Sequence, residues 1–139
     1  MKRLSLVCVL VLFAWIAWNP SVTHAEPYLL TVQQLKTALD KGSQPSQKGF
    51  ILIDVRSPEE HQEGFIPGTD FSIDFREIQN RAQEIHAALD SHIVVYCQSS
   101  HRSNIAAETL MSLGYKHVYN VKGSMNAWEE AGYPIQHPR

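Results

Sequence analysis

The sequence lacks an apolar run long enough for an ordinary transmembrane helix. Its longest apolar stretch, residues 4–18, is shorter than the run of about 20 residues that a spanning helix usually needs. Basic residues precede this stretch, and a site of small residues ending at Ala25 follows it, which is the order of a secretory signal peptide. We therefore predict a signal peptide over 1–25 and an exported domain over 26–139, without stable membrane insertion. In a Gram-negative bacterium this destination is the periplasm.

Cysteine is also scarce, because Cys8 and Cys97 are the only two in the chain. Cys8 lies inside the predicted signal peptide, so Cys97 is expected to be alone after processing. No intramolecular disulfide can then form, even in a compartment where disulfides persist. A lone thiol in such a compartment is either buried and passive or reactive.

An excess of basic charge is the third feature that the chain lacks. It has 12 lysine and arginine residues against 14 aspartate and glutamate residues, a formal net charge of −2. This balance favours neither nucleic acid nor an anionic membrane as a partner. The histidines outside the segment that follows Cys97 show no ligand spacing around carboxylates or thiols, so we predict no metal site and no cofactor.

Helix and strand patterns alternate along the remainder of the chain. A capping box at Thr31 starts a helix, Ser57 with Pro58 starts another, and residues 50–53 form an apolar run typical of a strand buried on both faces. Helices are predicted over 32–40, from 58, over 78–89, 105–113 and 124–131, and strands over 50–53, near 72–74, and over 92–96 and 118–121. The alternation predicts one α/β domain with a mostly parallel sheet and helices on both faces.

Ligands of open α/β sheets bind beyond the carboxyl ends of the strands. Two polar segments are predicted there, Asp54 with Arg56 after one strand and residues 97–103 after another. A loop that enters a helix can aim several N–H groups at one point, and the helix dipole adds positive potential. A thiol at that point loses its proton more easily, so we predict that Cys97 is a nucleophile and not a passive core residue.

The other polar residues near this edge receive different predictions. Asp54 and Arg56 are expected to form a structural ion pair, and Ser103 is also assigned a structural role next to the site. His101 either lowers the thiol pKa or faces solvent.

Four motifs carry a resemblance to the rhodanese family over about residues 31–135. They are LIDVRSPEE at 52–60, GFIPG at 64–68, IVVYCQSSHRS at 93–103 and GSMNAW at 123–128. The resemblance implies a single rhodanese-like domain with a short parallel sheet and a persulfide-forming cysteine at Cys97. It also implies an anion-binding loop made by Gln98, Ser99, Ser100, His101 and Arg102.

Two positions depart from the family pattern. Phe65 stands where members usually carry histidine, and Ser100 stands where glycine is common. A serine at this point of the loop must either tolerate the backbone conformation that the loop needs or shift one N–H donor.

The chain is similar to small exported thiosulfate sulfurtransferases, which implies transfer of sulfur from a small anionic donor to cyanide or a thiol. Two other classes stay open: a cysteine-dependent phosphatase or arsenate reductase, and a non-enzymatic sulfur carrier or binding module. Four residues separate Cys97 from Arg102, whereas phosphatases with this style of loop resemble one another in having five. This spacing favours a cradle for one sulfur atom over a cradle for a tetrahedral phosphate.

Overall fold

A computed structural model of the protein describes residues 25–42 and 48–139. Apart from Ala25, the predicted signal peptide lies outside the described residues, so the signal peptide and the domain boundary remain predictions. Within the described ranges, every helix is too short or too polar to cross a membrane.

The described strands form one parallel five-stranded sheet in the order β1-β5-β4-β2-β3. Their bounds are β1 Tyr28–Leu30, β2 Ile51–Asp54, β3 Phe71–Ser72, β4 His92–Tyr96 and β5 His117–Val121. β2 and β4 are interior neighbours that pair along the whole of β2, from Ile51 opposite Ile93 to Asp54 opposite Tyr96. The buried, apolar interior strands match the pattern of a parallel sheet that is covered on both sides. The predicted α/β class and parallel sheet are confirmed.

Helices cover both faces of the sheet, as predicted. Their bounds are α1 Val32–Lys41, α2 Pro58–Glu63, α3 Ile78–Arg81 with a 3-10 turn over Ala82–Ile85, α4 His101–Ser112 and α5 Ser124–Glu130. α3, its 3-10 turn and α4 pack on one face, whereas α1 and α5 pack on the other. Each face therefore has its own apolar cluster, with the interior strands between them.

The two predicted helix starts are confirmed. Thr31 and Gln34 form a reciprocal capping box at α1, and Ser57 and Glu60 form one at α2. In each, the hydroxyl accepts a backbone N–H of the first turn while the longer side chain accepts the N–H of the cap residue, so two otherwise unpaired donors are satisfied.

The continuous helix predicted over 78–89 is wrong. α3 has one turn, and the 3-10 turn that follows ends at His86, whose φ of 51° is left-handed. The helix was predicted from apolar residues at helical spacing, Ile78, Ala82, Ile85 and Leu89. The first three are buried, but Leu89 lies beyond the break and is 52% exposed. Its helical spacing from Ile85 is therefore a coincidence of sequence.

Candidate functional site

Cys97 lies at the carboxyl edge of the sheet, directly after β4. The loop predicted over 97–102 is shorter than expected, because α4 begins at His101 and Arg102 lies in its first turn. Ser100 caps this helix in a left-handed conformation, with φ of 87°. The short loop places the sulfur beside the first N–H groups of α4, where a helix terminus favours negative charge.

The Cys97 sulfur is buried and faces two donors. The Ser100 N–H donates to Sγ at 3.2 Å, and the Ser103 hydroxyl lies 3.4 Å from Sγ. The residue is only 1% exposed, so access of a reagent to the sulfur is restricted. Ser103, predicted as a structural neighbour, is thus in direct contact with the Cys97 sulfur.

Burial raises the pKa of the Cys97 thiol, but the donors around it outweigh burial. The Ser103 hydroxyl and the N–H groups of Ser103, Ser99 and Ser100 favour the thiolate, and the pKa of Cys97 lies below its ordinary value. A larger share of thiolate at neutral pH makes this sulfur a better nucleophile than an unperturbed thiol.

Ser100 adopts the backbone conformation that glycine commonly provides at this position. Its Oγ accepts the Gly123 N–H at 2.6 Å and donates to the Val121 carbonyl at 3.1 Å. These bonds join the loop to the turn after β5, so the side chain holds a conformation that is unfavourable for most residues. The Ser100 N–H still donates to Cys97, so serine tolerates the backbone conformation of the loop without shifting this N–H donor.

Two residues near β5 complete the loop's support and were missed from the sequence. Ser124 accepts the Cys97 N–H at 3.1 Å and donates to Val121 at 3.0 Å. Asn120 Oδ1 lies 2.6 Å from the Ser103 hydroxyl, so it and the Cys97 sulfur are alternative acceptors of that one proton. Ser124 belongs to the family-like motif at 123–128, which is the signal that could have indicated it, whereas Asn120 has no comparable signal.

The remaining loop residues have distinct surroundings. Gln98 donates through Nε2 to the Asn126 side chain at 2.6 Å, which ties the loop to α5. Ser99 and His101 are exposed. His101 therefore faces solvent, one of the two alternatives that the sequence left open.

Arg102 does not stand free at the site. Its two terminal nitrogens donate to the two carboxylate oxygens of Glu60 at 2.7 Å each, a bidentate pair that joins α4 to α2. This pairing lowers the pKa of Glu60 from 4.5 to about 2. Because the folded-state pKa is depressed, the contribution of the pair to stability is complete above pH 4.5 and is lost as the pH falls toward 2. Glu60 was not predicted as a site residue.

Asp54 and Arg56 form a buried pair behind the site. Arg56 donates through Nη2 to Asp54 at 2.7 Å and to the Gly64 carbonyl at 2.6 Å. Asp54 also contacts His61 Nδ1 at 2.9 Å, and the His61 ring stacks on Phe65 with centroids 4.3 Å apart. This network ties the end of β2 to α2 and the turn after it. Phe65 therefore packs against this network, where a histidine is usual in the family.

Among the described residues, no cluster of three or more histidine, cysteine, aspartate or glutamate side chains could hold a metal ion. The chemistry available at the site is that of a thiolate, hydroxyls, backbone N–H groups and one paired guanidinium.

Replacing Ser103 with alanine is expected to raise the pKa of the Cys97 thiol. The substitution removes the hydroxyl that favours the thiolate, while the N–H groups at the start of α4 stay in place. Alkylation by iodoacetamide at pH 7 should slow by about threefold, the size of one modest hydrogen bond. Ser112→Ala is the matched control, because its hydroxyl caps only the Thr109 carbonyl at the far end of α4. An unchanged alkylation profile in Ser103→Ala would contradict the assigned contact.

Comparison with known proteins agrees with this geometry. The chain is 38% identical over 88 residues to a protein named sulfurtransferase from Allochromatium vinosum, covering 63% of this chain and 79% of the relative. It is 33% identical over 88 residues to the thiosulfate sulfurtransferase GlpE of Pseudomonas syringae, with the same 63% and 79% coverage.

Solved structures have the same fold. The rhodanese-like domain of an Anabaena protein matches with a TM-score of 0.69 at 26% identity, covering 82% of this chain and 81% of that one. A Rhodopseudomonas palustris protein of unknown function, described as a possible tyrosine phosphatase, matches with a TM-score of 0.68 at 27% identity, covering 79% of this chain and 85% of that one. The protein-family model of the rhodanese-like domain matches residues 31–131 of this chain. The chain belongs to the rhodanese-like family.

Proposed function

We propose that this protein is a sulfurtransferase that moves a sulfane sulfur from thiosulfate to cyanide or a thiol through a persulfide on Cys97. The observation that carries the proposal is a buried thiol with a lowered pKa at the start of α4, in contact with the Ser100 N–H and the Ser103 hydroxyl. Relatives named sulfurtransferase and thiosulfate sulfurtransferase support it.

The reaction has two displacement steps. The Cys97 thiolate attacks the outer sulfur of thiosulfate, the S–S bond of the donor breaks, and its electron pair leaves with sulfite. The acceptor then attacks the outer sulfur of the persulfide, and the Cys97 thiolate is the leaving group. Cyanide becomes thiocyanate and a thiol becomes a persulfide, so no external oxidant or reductant is consumed.

The loop stabilises the anionic states along this path. The N–H groups of Ser99, Ser100 and Ser103 and the Ser103 hydroxyl favour negative charge on sulfur, and they do so in the thiolate and in the persulfide. These N–H and hydroxyl groups are already in position before thiosulfate binds, so they need no reorganisation during the reaction. Ser99 and His101 are exposed on the same loop as Gln98, and Arg102 attracts the sulfonate end of thiosulfate.

Phosphate-ester hydrolysis is the competing activity, because a structural neighbour is described as a possible tyrosine phosphatase. The short loop disfavours it. Only four residues lie between Cys97 and Arg102, α4 begins at His101, and the Ser100 N–H is directed at the Cys97 sulfur, which favours a cradle for one sulfur atom over one for the oxygens of a phosphate.

The test is intact-protein mass spectrometry after incubation with thiosulfate. We expect the mass of one added sulfur, and cyanide should remove it and release thiocyanate. In parallel, release of phosphate from an aryl phosphate should be negligible. A missing adduct together with phosphate release would replace this proposal with a phosphatase, and an adduct without turnover to any acceptor would favour a sulfur carrier.

Export completes the proposed function. The order of basic, apolar and small residues before Glu26 leads us to expect a mature chain that begins at Glu26 in the exported fraction. N-terminal sequencing of the secreted or periplasmic protein measures this directly. A chain that keeps Met1 and sediments with membranes would show that residues 4–18 act as an anchor.

A further inference from the structure

The charge of Arg102 is shared with an internal partner. Its guanidinium is held by Glu60 through two hydrogen bonds of 2.7 Å, and the same carboxylate accepts the Ser57 N–H at 3.1 Å. Both side chains of the pair are only partly exposed, at 28% and 31%. The capping box of α2 therefore fixes Glu60, and Glu60 in turn fixes the guanidinium.

Arg102 also lies within electrostatic range of the reacting sulfur. The Glu60 hydrogen bond is the main reason that the pKa of Arg102 is raised, and negative charge on Cys97 and on Asp74 raises it further. Asp74 is itself held by Arg76, whose guanidinium donates to it at 2.9 Å through Nε. Glu60 is thus the principal anion that an incoming dianion must compete with for Arg102.

We propose that Glu60 is a positioning residue that sets the affinity of the site for anions by dividing the charge of Arg102 between itself and the bound molecule. The proposal rests on the proposed function for the identity of its anions, thiosulfate as donor and sulfite as product. An undivided guanidinium would hold both anions more tightly. The pair therefore weakens donor binding and, for the same reason, speeds departure of sulfite.

The test variant is Glu60→Gln, which removes the charge and little else. Glutamine at this position still completes a capping box, and its carbonyl can still accept one Arg102 hydrogen bond. We expect the KM for thiosulfate and the inhibition constant for sulfite each to fall by about two- to fivefold, the scale of one partly screened charge interaction. A purely structural role predicts the opposite, a loss of activity that follows a loss of stability.

A second readout does not depend on sulfur transfer. The rate of Cys97 alkylation by anionic iodoacetate, divided by the rate with neutral iodoacetamide, measures attraction of an anion to the sulfur, and the thiol pKa cancels in the ratio. Glu60→Gln should raise this ratio by about two- to fivefold. Glu84→Gln is the matched control, because Glu84 holds Arg81 in a similar bidentate pair at 2.9 Å outside the site.

The double variant Glu60→Gln/Arg102→Gln separates the proposed route from direct repulsion by the carboxylate. If Glu60 acts through Arg102, the alkylation ratio of the double variant should equal that of the single variant Arg102→Gln. An effect that persists in the double variant, or an unchanged ratio in the single variant, would overturn the inference. If the wild type shows no sulfur transfer, the proposed function fails, and the alkylation ratio still decides the role of Glu60.

Discussion

Replacing Cys97 with alanine is expected to lower sulfur transfer by at least about a thousandfold, because the atom that would carry the sulfur is removed. The fold should survive. A buried cysteine behaves as a small hydrophobe, and alanine leaves the Cys97 N–H free to donate to Ser124 as before. The measurement is thiocyanate production from thiosulfate and cyanide, with the melting temperature recorded on the same sample.

Cys8→Ala is the control for this experiment, since Cys8 is the only other cysteine and lies in the predicted signal peptide. Activity and the sulfur adduct should be the same as in the wild type. Transfer that survives in a folded Cys97→Ala protein would place the chemistry on another residue and remove the basis for a persulfide at this loop.

Replacing Arg56 with methionine is expected to lower the free energy of unfolding by about 3–5 kcal/mol, because the buried Asp54 carboxylate loses its guanidinium partner and keeps only the His61 contact. Both residues are almost fully buried, and Arg56 also donates to the Gly64 carbonyl, which then loses its partner. Urea denaturation followed by circular dichroism measures the loss. Arg81→Met should cost less than about 1 kcal/mol, because the exposed pairs of Arg81 with Glu77 and Glu84 are screened by water.

The double variant Asp54→Leu/Arg56→Met tests the physical reason. Removing both charges together should recover much of the stability, because a buried ion pair contributes little over an apolar pair of similar size. A fall in kcat without a fall in stability in Arg56→Met would assign Arg56 to the reaction and contradict its structural role.

Local signals made most of the fold predictable. The capping boxes at Thr31 and Ser57 depend on residues three positions apart, and both helices begin where the sequence indicates. The apolar run before Asp54 and the run before Cys97 are β2 and β4, two of the three interior strands. Apolar spacing alone was a poorer guide, since Ile105 is 38% exposed on α4, whereas Ala106 and Leu110 are buried.

β1 was missed because it has three residues, two of them exposed, and no alternation to indicate a strand. It exists because β5 offers an unpaired edge, with Tyr28 opposite Tyr119. β1 is therefore stabilised by pairing with a strand about ninety residues away in sequence, and a local sequence pattern cannot indicate such a pairing.

The position of Cys97 and its N–H donors followed from chain order, but the side chains that support them did not. Glu60, Asn120 and Ser124 reach the loop from elements far along the chain. Their placement depends on how α2, β5 and α5 pack around the loop and α4, and the identity of a residue says nothing about such a contact. Arg102 illustrates the consequence, because its charge was predicted and its partner was not.

The direction of β1 fixes how the protein faces anything attached to its N-terminus. β1 runs parallel to β4 through β5, with Tyr28 level with Val94 in the middle of β4, so the residues before Tyr28 lead toward the amino ends of the strands and away from Cys97. A bilayer, a bead or a fused domain joined before Pro27 would therefore adjoin the amino ends of the strands. The Cys97 loop would point away from that attachment, toward the solution that supplies its reactants.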